Sequence, residues 1–263
     1  RSATGVCAVP GKPGEQVPAP YAPVIVAKSG RAIPQPHTAD VFAILGIGCW
    51  VVAAVIGSCV VFGYSDLVSS DYRIGEWFDS IGLGNAVLVK AATVWHYAGG
   101  PGGSFVLALV ATVWLFIANR RGWALYVVVC GIGGLVISEV LKKTIDRARP
   151  SWPDPAIVES GGSFPSGHSM AGIYVWAVVG IVLMYLLRRP LGTVIGWCLI
   201  VFGILMAPSR LILGVHWPSD VVGGWMLALG WVLLVSACAV VLVARRNPQG
   251  RSVPDENQVV TST

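Results

Sequence analysis

Charge is scarce in this chain. Only 12% of its 263 residues are Asp, Glu, Lys or Arg, where a soluble domain carries about 25%. That argues against a water-soluble globule. Cysteine is equally unhelpful as a scaffold. Cys7 lies in an N-terminal tail, and Cys49, Cys59, Cys130, Cys198 and Cys238 fall inside apolar runs. No disulfide framework and no Cys-x-x-Cys metal knuckle follows, and these residues read as small core side chains. The 13 acids are dispersed, with no carboxylate cluster of the kind that holds Mg²⁺, so neither metal nor cofactor is expected. No charged-then-apolar secretory signal precedes the first apolar run, which is expected to serve as the membrane signal itself.

What fills the chain is hydrocarbon. Hydrophobic residues make up 55% and the mean hydropathy is +0.71. The apolar residues gather in runs near bilayer length, since about 20 residues cross a membrane as a helix. These are Val41–Gly63, roughly Gly100–Asn119, Trp123–Leu141, His168–Leu187, Leu191–Ala207 and Val221–Ala244. A backbone in lipid must satisfy its hydrogen bonds within its own segment, so the runs are helices. The expected fold is an all-α integral membrane protein of six transmembrane helices. Residues 1–40, rich in Pro, Gly and Ala, read as a disordered tail, and 247–263 as a second, polar tail. The stretch from Tyr64 to Asn85 reads as an acidic loop. Ala86–Ala98 reads as a segment along the membrane surface.

The net charge of +5 suggests nucleic acid until its distribution is considered. Arg120/Arg121, Arg188/Arg189 and Arg245/Arg246 sit at helix ends, where topology signals belong, so no nucleic-acid partner is expected. With both termini cytoplasmic, all three pairs fall inside. Lys142, Lys143, Arg147, Arg149 and Arg210 then fall outside, against the rule, and need another reason to exist.

Three segments on that outer face supply one. They are Lys142-x6-Arg149-Pro150, Pro165-Ser166-Gly167-His168, and Ser209-Arg210-x5-His216-x3-Asp220. A phosphoryl transition state needs its equatorial charge held, and Lys142, Arg149 and Arg210 supply three cations, two of them forked. Ser166 can donate a hydroxyl bond. Gly167 lets the backbone approach closely, at a helix N-terminus suited to anions. Of only four histidines, two fall in these segments. Asp220 follows His216 by one helical turn, which suits a carboxylate orienting an imidazole. His168 has no such partner in its own segment and suits a proton donor better.

Lys143 and Arg147 read as interface anchors, Glu139 and Asp146 as balancing charges, and Ser209 as structural. His96 reads as a satisfied interfacial histidine. Gly131, Gly133 and Gly134 read as close helix packing. Trp123, Trp152 and Trp217 read as an interface belt.

In order and spacing the three segments resemble the tripartite signature of the type 2 phosphatidic acid phosphatases. The resemblance spans roughly residues 41–246. It implies a metal-independent histidine phosphatase in which His216 attacks phosphorus, Asp220 orients it and His168 protonates the leaving oxygen. Lys142, Arg149, Ser166, Gly167 and Arg210 would bind the phosphate. The substrate would be a lipid-linked phosphate or pyrophosphate of the polyprenyl pyrophosphate, phosphatidic acid or phosphatidylglycerol phosphate class. A lipid-linked phosphotransferase would use the same site. An anion-binding transporter fits less well, because the cluster sits at helix ends and no internal repeat is seen. The expected location is the cell membrane, as a multi-pass protein with its site on the extracytoplasmic face. Lys142, Arg149, Ser166, His168, Arg210 and His216 are expected to converge on one cavity open sideways to lipid.

Overall fold

In a computed structural model, residues 36–153 and 155–246 are described. Cys7 and the two tails, apart from residues 36–40, lie outside them. The described residues contain only helices and their connections. In chain order these are α1 (Pro36–Val61), α2 (Ser65–Leu83), α3 (Ala86–Gly99), α4 (Pro101–Ile117) and α5 (Arg121–Ile145). There follow α6 (Gly167–Ala171), a π-helical stretch (Gly172–Ala177), α7 (Val178–Leu186), α8 (Leu191–Ile212) and α9 (Pro218–Arg246). The segments from α6 to α7 run on as one span, Gly167–Leu186.

Among the described residues five helices are long and apolar enough to cross a bilayer: α1, α5, Gly167–Leu186, α8 and α9. At 17 residues α4 is short for a span. It joins α3 through a 48° bend, and the pair can serve together as a sixth. The bend falls at Gly100, with Pro101 opening α4 where its missing N–H costs nothing. The outer faces are apolar, with Ile44, Phe105 and Ile132 among the exposed side chains, as lipid contact allows.

Packing rests on small residues that bring backbones together. Gly172 faces Gly203, and Gly180 faces Gly196. A Cβ on any of these four would lie under 3.0 Å from the opposing carbonyl oxygen. Two such contacts hold the Gly167–Leu186 span to α8. Gly133 meets the Trp231 ring and Gly134 the Tyr174 ring in the same way, whereas Gly131 has open space beside it. The main core lies between α4, α5, the Gly167–Leu186 span, α8 and α9, around Leu115, Cys130, Met170, Val179 and Met206.

Two segments differ from their sequence reading. The acidic stretch from Tyr64 to Asn85 forms the helix α2, not a loop. Its acids mask an amphipathic pattern in which Asp71, Gly75 and Gly82 share a buried face. The segment over Ala86–Ala98 is helix α3, packed on α8. There Trp95 stacks on Phe202 at 5.1 Å and donates from Nε1 to its carbonyl.

Candidate active site

The last turn of α5 carries Lys142, and Asp146 closes the helix in a left-handed conformation with φ 42°. The turn sends the chain back past the bundle and brings Arg147 and Arg149 inward. Arg149 donates to the carbonyls of Gly161 and Val215, which pins the long loop to the α8–α9 connection. Ser166 precedes α6 and donates its N–H to the Asp220 carbonyl at 3.0 Å. The third and second segments therefore meet through the backbone.

His216 lies in the short connection between α8 and α9 and is only 2% exposed. Its Nδ1 faces Asp220 Oδ2 at 3.4 Å. A carboxylate at that nitrogen places the proton there and leaves Nε2 with its lone pair. Nε2 accepts from Arg149 at 3.2 Å. Asp220 is fully buried and spends both oxygens. Oδ2 also accepts from the Trp217 N–H at 2.8 Å and from the Ser163 hydroxyl, while Oδ1 accepts from Arg147 at 2.6 Å. Burial pushes the His216 imidazole below its ordinary value, and Arg149 and Arg210 add to this. Asp220 opposes it without reversing it.

The other histidine stands on the far side of a carboxylate. His168 Nε2 donates to the His96 carbonyl at 3.1 Å, and the two rings stack at 5.2 Å. His96 Nδ1 accepts from Arg210 at 2.6 Å. Arg210, wholly buried on α8, also donates to Glu159, and Arg149 meets the other Glu159 oxygen at 3.0 Å. A continuous chain of contacts thus runs from His168 through His96, Arg210, Glu159 and Arg149 to His216. Burial alone would raise the Glu159 carboxyl, but Arg210, with His216 and Arg149 nearby, outweighs it and holds the group at about 2.

Not every expected residue reaches the cavity. A space of about 690 Å³ opens between α4 and α5. Lys142, Arg149, Gly167 and His168 line its polar end, with Phe105, Leu109, Ile132 and Leu135 along the rest. Ser166, Arg210 and His216 do not line it. Glu159 does, and it holds both Arg149, which lines the space, and Arg210, which stays outside it. Among the described residues the Ser166 hydroxyl and Arg210 Nε are buried without a hydrogen-bond partner. A Cβ on Gly167 would lie 3.1 Å from Lys142 Nζ, so the ammonium and the α6 N-terminus share one spot.

Three readings change. Arg147 is not an interface anchor but an inward ion pair to Asp71 and Asp220. His96 is not peripheral, because it bonds Arg210 and stacks on His168. Trp217 and Trp152 form an aromatic cluster with Tyr72, and Trp217 also lies under the Arg147 guanidinium at 5.6 Å. Ser209 bonds a backbone carbonyl in its own helix, and Lys143 is exposed. Sequence reasoning missed Asp71, Glu159 and Ser163. Only the placement of Asp71 on a buried helical face offered a signal.

His96, Glu159 and His168 turn ligand atoms within 4.8 Å of one another, as a metal site would. Two guanidinium groups already hold Glu159, however, and a divalent cation would have to face both. The charge set suits an anion.

Residues 122–243 match the PAP2 superfamily. A decaprenylphosphoryl-5-phosphoribose phosphatase from Mycolicibacterium smegmatis is 32% identical over 52% of this chain and 71% of its own length. The chain belongs to the PAP2 superfamily. Phosphatidylglycerophosphatase B of Bacillus subtilis is 35% identical over half of this chain, and the undecaprenyl-diphosphatase BcrC of that organism is 30% identical over 48%. The chain spans 66% and 63% of the length of those two relatives. The fold is that of a solved transmembrane PAP2-type phosphatidylglycerolphosphate phosphatase from Bacillus subtilis. It matches with a TM-score of 0.62 and 22% identity, covering 80% of this chain and 98% of the other. This PAP2 chain is a multi-pass membrane protein.

Proposed function

We propose that this chain removes the phosphate of a lipid-linked phosphate or pyrophosphate through a phosphohistidine at His216. The observation that carries the proposal is a buried His–Asp pair joined through Arg149 to the polar end of an apolar cavity, with Lys142 on the cavity wall and Arg210 behind Glu159. A lipid tail can lie between α4 and α5 while its phosphate reaches Lys142 and Arg149. Glu159 must then release the arginines, and the phosphate takes their donors.

His216 Nε2 attacks phosphorus while the bond to the lipid oxygen breaks. His168, in its protonated form at the cavity wall, gives that oxygen its proton. Arg149, Arg210, Lys142 and the Ser166 hydroxyl hold the equatorial oxygens. Water then attacks the phosphohistidine, releasing inorganic phosphate and the free imidazole. No step needs a metal, and turnover in excess chelator is expected.

Counting α3 and α4 as one span gives six, and six spans with the arginine pairs on the inner face support a reading with both termini in the cytoplasm. The site then faces outside, level with the lipid headgroups. The polyprenyl, phosphatidic acid and phosphatidylglycerol phosphate classes all present a phosphate there. An acceptor in place of water would make the same site a phosphotransferase, and release of free phosphate without an acceptor separates the two. The test of mechanism is acid-labile ³²P label trapped on a His168→Asn variant and absent from His216→Ala. Label on a serine would sink the assignment.

A further inference from the structure

The amphipathic helix α2 carries one buried carboxylate that approaches none of the proposed phosphate ligands. Asp71 is 3% exposed. Its Oδ1 accepts from the Ser219 N–H at 2.9 Å, and its Oδ2 accepts from the Ser219 hydroxyl at 2.5 Å and from Arg147 at 2.6 Å. Arg147 donates its other arm to the Ser219 hydroxyl at 2.7 Å and to Asp220 Oδ1 at 2.6 Å. The Trp217 ring shields the guanidinium face. Asp71, Arg147 and Asp220 thus alternate in charge and end at His216.

We infer that Asp71 and Arg147 are positioning residues for the reaction, fixing Asp220 and, through it, the His216 imidazole. A plain staple between α2 and the bundle would need only the Asp71–Arg147 pair. Here the grip falls on the first turn of α9, at Ser219 by three bonds and at Asp220 by one, so it sets where the orienting carboxylate points. Oδ2 of Asp220 is shared among three donors, and Arg147 on Oδ1 stops the carboxylate from rotating. Arg147 also draws charge from Asp220, and Asp71 moderates that pull. The other charged groups near the imidazole are Arg149 from the loop after α5, Arg210 from α8 and Glu159 from the loop before α6. Neither Asp71 nor Arg147 touches it.

The inference rests on His216 as nucleophile. Its test compares Asp71→Asn, Arg147→Gln, the double variant and the exposed control Glu76→Gln in detergent. Melting temperature, kcat, KM and the acid limb of kcat/KM are read for each. Asp71→Asn, which preserves side-chain volume, carries the test if Arg147→Gln does not fold. Its kcat is expected to fall about tenfold with KM nearly unchanged, the scale of one hydrogen bond to a charged group.

The acid limbs should move in opposite directions. Removing Arg147 leaves Asp220 its full charge, which stabilises the imidazolium and moves the limb to higher pH. Removing the Asp71 charge leaves Arg147 unmoderated and moves the limb to lower pH. The double variant should be little worse than the poorer single. A lower melting temperature with wild-type kcat and an unmoved limb in Asp71→Asn would overturn the inference, as would limbs moving the same way. Phosphohistidine on His216 together with unmoved limbs sinks the positioning role alone. Turnover retained by His216→Ala sinks the nucleophile reading and this inference with it.

Discussion

Around His216 the polar atoms are paired: both Asp220 oxygens, both reaching arms of Arg147 and the Ser163 hydroxyl have partners. On the phosphate side, the Ser166 hydroxyl, the Ser138 hydroxyl and Arg210 Nε are buried without a hydrogen-bond partner among the described residues. Buried polar groups ordinarily find partners, so such atoms call for an explanation. The contrast separates two tasks. The nucleophile needs one fixed geometry before substrate arrives, which a saturated network provides. The phosphate side needs donors in reserve, and Glu159 meanwhile supplies a carboxylate to the two arginines.

Breaking the saturated side should have the largest effect. His216→Ala removes the atom that bonds phosphorus, and turnover is expected to fall by at least about four orders of magnitude. The trapped label should vanish with it. His168→Ala should cost less, about two to four orders, and should still form phosphoenzyme from a substrate with a good leaving group. Equal losses, with label absent from both, would remove the distinction between attacking and protonating histidines.

The saturated side was also the harder one to read from sequence. The three segments announced Lys142, Arg149, His168, Arg210, His216 and Asp220 because their order and spacing are specific. Arg147 sits among them, yet an arginine at a helix end is usually an anchor. Its partner Asp71 lies 76 positions earlier, in a stretch whose acids suggested a loop. His96 is 114 positions from Arg210, and Glu159 lies in a segment with no periodicity at all. Spans are local facts of composition, so the helices were legible, save α2 and α3. Ion pairs between distant segments depend on how those helices pack.

On the phosphate side, Arg210→Lys keeps the charge but loses the fork that reaches His96 and Glu159. A loss of about 10²–10³ in kcat/KM is expected, comparable to removing one oriented transition-state donor. A change within threefold would mean that charge alone suffices there. The melting temperature of the same preparation separates this from loss of the fold.

The pH profile tests the nucleophile's surroundings. The His216 imidazole is held below the ordinary value by burial, with Arg149 and Arg210 adding to it and Asp220 opposing. The neutral, nucleophilic form therefore persists as pH drops through about 6.5. Activity should be lost only at lower pH, as the imidazole gains its proton. An imidazole NMR titration of the free enzyme reads this directly, free of the substrate's own titration. A His216 transition at or above the ordinary value would mean that Asp220 outweighs burial and both guanidinium groups.

The smallest effect expected is at the junction of the two sides. Glu159→Gln keeps size and hydrogen-bonding capacity but removes the charge that competes with phosphate for Arg149 and Arg210. KM should fall by about threefold, since a charged partner of a partly exposed pair contributes about 1 kcal/mol or less. The side chain is 20% exposed, so solvent screens the pair and a larger effect is not expected. Inorganic phosphate and orthovanadate should inhibit more strongly by a similar factor, because they need the same donors. The value of kcat should change less than KM, because the carboxylate has left the arginines before phosphorus is attacked. If KM instead rises and kcat falls together, Glu159 helps to build the bound state rather than competing with it. The reserve of donors on the phosphate side would then be smaller than the free geometry suggests.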